Sequence, residues 1–342
     1  MKTTANVLAS IVALALLALP VQATTIHAPG DQPTIQAGID AASAGDTVLV
    51  ACGTYYEHDI TMKSGVCLTS ETGSADCVEI NAQSLGRVFY CADVNSLASF
   101  VGLTLRDGAT DFYENGGGMY CTSSSPTLTN CTFLSNIGYS SSGGGLVCSG
   151  GSSPTVTSCE FTGNTAFAGG AAAVYSSSPT FTDCVFAGNS AMWGGAMDCG
   201  GSSSPTLTRC TFLGNYAGDG GAVECSGTAS PAFICCTFLG NDASDGGSAV
   251  CAEYYGSPTL TGCVIAFSTS GPAVSCADGS TVALSCCDVY GNVDGDWVGC
   301  IADQYGVDGN FSADPLFCGD LNPDEPYTLH TDSPCAPDNN PE

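Results

Sequence analysis

The stretch "SSSPTLTRCTFLGNYAGDGGAVEC", residues 202–225, decides the fold, because the chain keeps rewriting it. Edited copies read "SSSPTLTNCTFLSN" at 123–136 and "GSPTLTGCVIAFS" at 256–268. Aligned on their large apolar residue, Phe133, Phe161, Phe186, Phe212, Phe238, Ile265 and Val289 follow one another at intervals of 28, 25, 26, 26, 27 and 24 residues. A cysteine sits two positions before each of them. Three positions after stand Asn136, Asn164, Asn189, Asn215, Asn241 and Asn292, with Ser268 replacing asparagine once. A second register begins at Gly116, Gly143, Gly169, Gly194, Gly220, Gly246 and Gly271; five residues on lie Cys121, Cys148, Val174, Cys199, Cys225, Cys251 and Cys276. Copies in two registers mark a solenoid.

Local chemistry selects the kind of solenoid. Helical repeats need ten or more unbroken residues of 3.6-residue period. Here Gly-Gly, Ser-Pro and Gly-Asn cut each unit into short segments rich in Thr, Val, Phe and Cys, which are strands joined by turns. In "SPTLTRCTFLGN" Leu207 points inward, the chain bends near Arg209, and Cys210 and Phe212 then face inward with Thr211 outward. Three strands per coil, stacked about 4.8 Å apart, predict an all-β parallel β-helix solenoid of roughly ten coils. The recurring asparagines suit turns, because Asn tolerates left-handed backbone and can bond to the Asn of the next coil.

The ends need covers, since an open coil is an unpaired sheet edge. "QPTIQAGIDAASAGD" at 32–46 spaces Ile35, Ile39 and Ala42 helically, which predicts a capping helix over 33–42. Lys2, the apolar run at 7–19 and a cleavage point after Ala23 predict a secretory signal peptide over 1–23, with a short membrane anchor as the competing reading. The chain then divides into a helix with irregular coils at 24–112, regular coils at 113–292, and terminal coils with an acidic tail at 293–342.

Charge narrows the partners. After residue 23 the chain carries 33 acidic side chains against four basic ones, Lys63, Arg87, Arg106 and Arg209, a formal −29. Nucleic acid is excluded, because binding it rests on Lys and Arg neutralising phosphates. Anionic polysaccharides and acidic membranes are disfavoured unless a divalent cation bridges the charges. The 22 cysteines point to an oxidising compartment. No C-x-x-C pair occurs and only His27, His58 and His330 accompany them, so metal–thiolate sites do not fit. Within one coil cysteines lie 10 to 12 residues apart, while equivalent cysteines of neighbouring coils stack within disulfide range; both pairings stay open. Cys184 lacks a within-coil partner because Val174 stands in its place, and it is expected to be a free thiol in a cysteine ladder. Cys235 and Cys286, outward and two rungs apart, are too distant to bridge.

The copies resemble right-handed parallel β-helix proteins of the pectin-lyase-like superfamily. "GGAM", "GGAV", "GGGL" with "FTGN", "FAGN", "FLGN" are similar to the repeats of polymorphic outer-membrane proteins. "PTIQAGIDAASAGDTVLVACGTYYE" is similar to the start of many exported β-helix proteins. The resemblance implies the fold and an extracytoplasmic place. It spans polysaccharide lyases, hydrolases, esterases and non-enzymatic surface proteins, so it leaves activity open. The C-terminal barrel of autotransported members has no counterpart here.

Candidate chemistry comes from the outward positions of one strand column: Tyr120, Val147, Ala173, Asp198, Glu224, Val250 and Ser275. Asp198 and Glu224 stack one rung apart, about 5 Å by strand spacing, the separation of the two carboxyls in a retaining glycosidase. Asp219 and Asp245, each just before a Gly pair, would add calcium ligands. "NVDGDW" at 292–297 places Asp294 and Asp296 as at the start of a calcium loop, without the later bidentate Glu. A lyase would need an Arg or Lys base, and Arg209 reads as a solvated turn residue. Tyr55, Tyr56 and His58 read as packing and edge residues. The favoured reading is a secreted or cell-surface monomer, a non-catalytic, adhesin-like binding or structural module with a glycan or host-surface partner, requiring no cofactor, with calcium as a candidate ion. The alternative is a carbohydrate-active enzyme using Asp198 and Glu224 on a neutral glycan.

Overall fold

The computed structural model describes residues 23–110, 115–318 and 329–336. Most of the leader read over 1–23 and parts of the acidic tail lie outside the described residues. No helix among the described residues is long and apolar enough to cross a membrane.

The coils stack into three long parallel sheets. The first has eleven strands, from Thr25–Ala28 to Ala283–Ser285; the second has ten, from Gly53–Tyr55 to Asp288–Tyr290; the third has nine, from Ile60–Thr61 to Val274–Cys276. This is a β-solenoid of about ten coils, and the repeat register holds through most of it. Phe133 pairs with Phe161, Phe161 with Phe186, Phe186 with Phe212 and Phe212 with Phe238, ending in Ile265 and Val289. Their rings stack at 4.6 to 4.9 Å within 10° of parallel. A second column runs through Leu128, Val156, Phe181, Leu207, Phe233, Leu260 and Leu284. Each ring is wholly buried only because a neighbouring coil supplies its partner.

The corner between these columns needs left-handed backbone. Arg209 occupies it with φ +53°, as do Asp183, Cys235 and Cys286 in their coils. Arg209 is indeed a turn residue, and its guanidinium donates to both carboxylate oxygens of Asp183 one rung away, at 2.7 and 2.9 Å.

The expected helix runs Ile35–Ala41, two residues later than Pro33 suggested. Thr34 accepts from Ala37 N, and the Glu57 carboxylate takes the Ile35 and Gln36 amides at 2.8 and 3.0 Å, which fixes the start. Ile35 and Ile39 are buried against the first strands.

Two disulfides form, Cys52–Cys77 and Cys276–Cys300, both between residues about one coil apart. The within-coil pairing therefore does not occur, and Cys276 is not joined to Cys287. The remaining cysteines are free, including Cys184, Cys235 and Cys286. Val174 takes the place of cysteine between Cys148 and Cys199 in the stack. Inward thiols donate instead to the carbonyl two residues back, as Cys210 does to Thr208. Alkylation of denatured, unreduced protein is expected to label Cys184; mass spectrometry finding it in a disulfide would overturn the ladder.

Candidate functional site

The outward column of the third sheet places Tyr120, Val147, Ala173, Asp198 and Glu224 in direct register. The next rung corrects the sequence alignment. Glu224 pairs with Cys251, not Val250, and Cys251 in turn pairs with Ser275. The cause is one extra residue between Ala243 and Gly247: Ala217 pairs with Ala243 but Val223 with Val250, so Gly247, not Gly246, is the counterpart of Gly220. One added residue moves a strand to its other face. Cys251 therefore leaves the inward column and joins the outward one.

A further column stands beside this one. Ser142 pairs with Ala168, Ala168 with Trp193 and Trp193 with Asp219, the positions just before the Gly pairs. Between the two columns lies a cleft of about 670 Å³, with Tyr175, Asp198 and Glu224 on one side and Phe167, Trp193 and Asp219 on the other. Glu253 and Tyr254 also line it. Phe167 and Trp193 meet edge to face at 4.7 Å while keeping part of their rings exposed.

Asp198 and Glu224 do stand on the outward face, where the sequence left open a groove or a flat acidic wall. They are 5 % and 6 % exposed, because the cleft walls cover them. Tyr175 reaches across one rung, and its hydroxyl donates to Asp198 Oδ2 at 2.5 Å while bonded to Ser142 Oγ at 2.8 Å. Gly200, its strand partner, makes room: a Cβ there would sit 2.9 Å from the ring. Burial pushes the Asp198 carboxyl up to about 6, held back by the Tyr175 hydrogen bond. Burial, then the charges of Asp198, Glu253 and Asp219, push Glu224 up to about 8. Two adjacent carboxyls are thus set apart, one ionised and one protonated near neutrality.

The other candidates fall elsewhere. Asp245 is exposed and accepts from Ser244 Oγ, although its charge helps raise Asp219. Asp294 accepts from Gly271 N. Asp296 accepts from Gly291 N and from both nitrogens of Asn292, which ties "NVDGDW" into a turn. Neither aspartate lines the cleft. Sequence reasoning passed over Phe167, Tyr175, Trp193 and Glu253. The available signal was an aromatic one or two residues before the Gly pair in two successive coils.

Together these features define a parallel β-helix with an acidic, aromatic-walled cleft on the outside of one sheet. The chain belongs to the right-handed β-helix region family, whose model matches residues 64–238. Among solved structures, it is similar to an alginate lyase from Paenibacillus sp. str. FPU-7, with a TM-score of 0.58 and 12% identity, over 85% of this chain and 98% of that one. It is also similar to the pectate lyase Pel9A, with a TM-score of 0.51 and 14% identity, over 91% and 90%. No curated protein matches the chain. Identities this low establish the fold, and function must be argued from the site.

Proposed function

We propose that the protein is an exported glycoside hydrolase that cleaves, with retention of configuration, a glycan lacking acidic groups. The observation that carries this reading is the burial of Asp198 and Glu224 on successive rungs beneath aromatic walls. Strand spacing of about 4.8 Å fits the roughly 5 Å carboxyl separation of retaining enzymes. Asp198, ionised and oriented by Tyr175, attacks the anomeric carbon as Glu224 gives its proton to the departing glycosidic oxygen. Glu224, now a carboxylate, takes a proton from water, whose oxygen displaces Asp198 from the glycosyl ester. Both carboxyls then return to their starting states. Partly exposed Phe167, Trp193 and Tyr254 offer faces against which sugar rings stack.

The same exposed rings favour a second reading, an adhesin-like module that grips a glycan without cutting it. Incubation with a panel of polysaccharides lacking acidic groups, amino-sugar polymers included, separates the two. New reducing ends whose first-formed anomer keeps the original configuration, absent with Asp198→Asn, are the expected result. Binding without product would leave the adhesin, and an inverted product would remove the nucleophile role.

A further inference from the structure

The cleft holds more acid than two reacting carboxyls require. Asp219 and Glu253 line it too, and with Cys251 each offers a ligand atom within 4.8 Å of the others. No Lys, Arg or His is among the lining residues. A separate observation points the same way: Glu224 Oε2, on a side chain 6 % exposed, has no hydrogen-bond partner. A buried carboxyl oxygen without a partner is costly, and with the Glu224 proton on its other oxygen this one accepts, so the free molecule leaves a place for a donor. Asp219, Glu224 and Glu253 all line this one cleft.

We propose that this space receives the ammonium group of an amino sugar, and that the substrate is a hexosamine polymer with free amines. The inference rests on the glycan reading above and names its substrate class. An ammonium carries three donors and no acceptor, which matches the Asp219 and Glu253 carboxylates and the open oxygen of Glu224 along one cleft. The neighbouring aromatic faces add cation–π attraction and a surface for the sugar ring. A cleft of about 670 Å³ is the size of a small-molecule site and far larger than a bare ion needs. A net charge of −28 further favours a polycationic chain over an anionic one.

Calorimetry with Asp198→Asn, which blocks turnover, tests this with two probes: the glucosamine hexamer and the N-acetylglucosamine hexamer. The free amine is expected to bind at least about tenfold more tightly at low salt, as for one charge-assisted contact, with the advantage shrinking as salt rises. Adding Asp219→Asn and Glu253→Gln, both at half-buried positions, should erase the preference while leaving the acetylated hexamer unaffected. Equal affinities before those changes overturn the amine site and leave the glycan reading standing. Failure of both hexamers to bind overturns both. One zinc ion retained through dialysis and lost in Cys251→Ser, with amine preference unchanged by the double substitution, assigns these acids to a metal and also overturns the proposal.

Discussion

Glu224→Gln is expected to lower kcat/KM for glycan cleavage by about 10²–10⁴-fold, the usual worth of a positioned general acid. Glutamine keeps the shape and removes the transferable proton. The pH profile of the unchanged protein should be bell-shaped. Its acid limb, near pH 6, reports Asp198 losing activity as it gains a proton; its alkaline limb, near pH 8, reports Glu224 losing activity as it gives one up. In Glu224→Gln the alkaline limb should vanish from the residual rate. A stability measurement checks the same carboxyl without substrate. The folded value of Glu224 lies above its ordinary 4.5, so the protonated form stabilises the fold. That contribution is full below about pH 4.5 and is lost as the pH rises through about 8, on the order of a few kcal/mol. Thermal melts between pH 6 and 9 should therefore fall in the native chain and flatten in Glu224→Gln. Parallel melting curves for the two proteins would show that Glu224 is ionised throughout.

The coils were legible because their logic is local. Cys210, Thr211 and Phe212 alternate inward and outward as a strand must, and the pleat of one coil fixes that of the next. Asp198 and Glu224 were legible as neighbours for the same reason: counting from one Gly pair to the next is enough to stack them. Counting failed at the following coil, where an extra residue between Ala243 and Gly247 turns Cys251 rather than Val250 outward. Nor could counting find that Tyr175 crosses to Asp198 on the adjacent rung, because the reach depends on a missing side chain at Gly200. Burial of the acid pair was hidden for a similar reason. Asp198 sits beneath Tyr175 in a cleft whose far side is lined by Trp193 and Phe167, outside the outward column, and how near they come is a property of the coil's cross-section.

Asn215→Ala is expected to destabilise the fold by about 3–5 kcal/mol, more than a single hydrogen bond is worth, because the side chain serves two rungs at once. Its Nδ2 donates to Phe186 O and to Asn241 Oδ1, each at 2.9 Å. Its Oδ1 accepts from both Asn189 N and Asn189 Nδ2 at 3.0 Å. Removing the amide leaves a carbonyl, a backbone N–H and two amide groups of neighbouring asparagines short of partners, all in a column where Asn189, Asn215 and Asn241 are buried. Each buried group left unsatisfied costs roughly 1–3 kcal/mol, and partial relaxation keeps the total below their sum. The rung at Ser268 marks the limit of what a shorter side chain can do: its Oγ reaches Gly271 O and Val293 N at 3.3 Å and makes no bond to Asn241. Asn215→Ser should therefore recover little of the loss. Urea unfolding monitored by circular dichroism gives the comparison. An unfolding free energy for Asn215→Ala within about 0.5 kcal/mol of that of the native chain, the range of an ordinary surface change, would mean that the stacked rings carry the solenoid and the ladder merely decorates its corner.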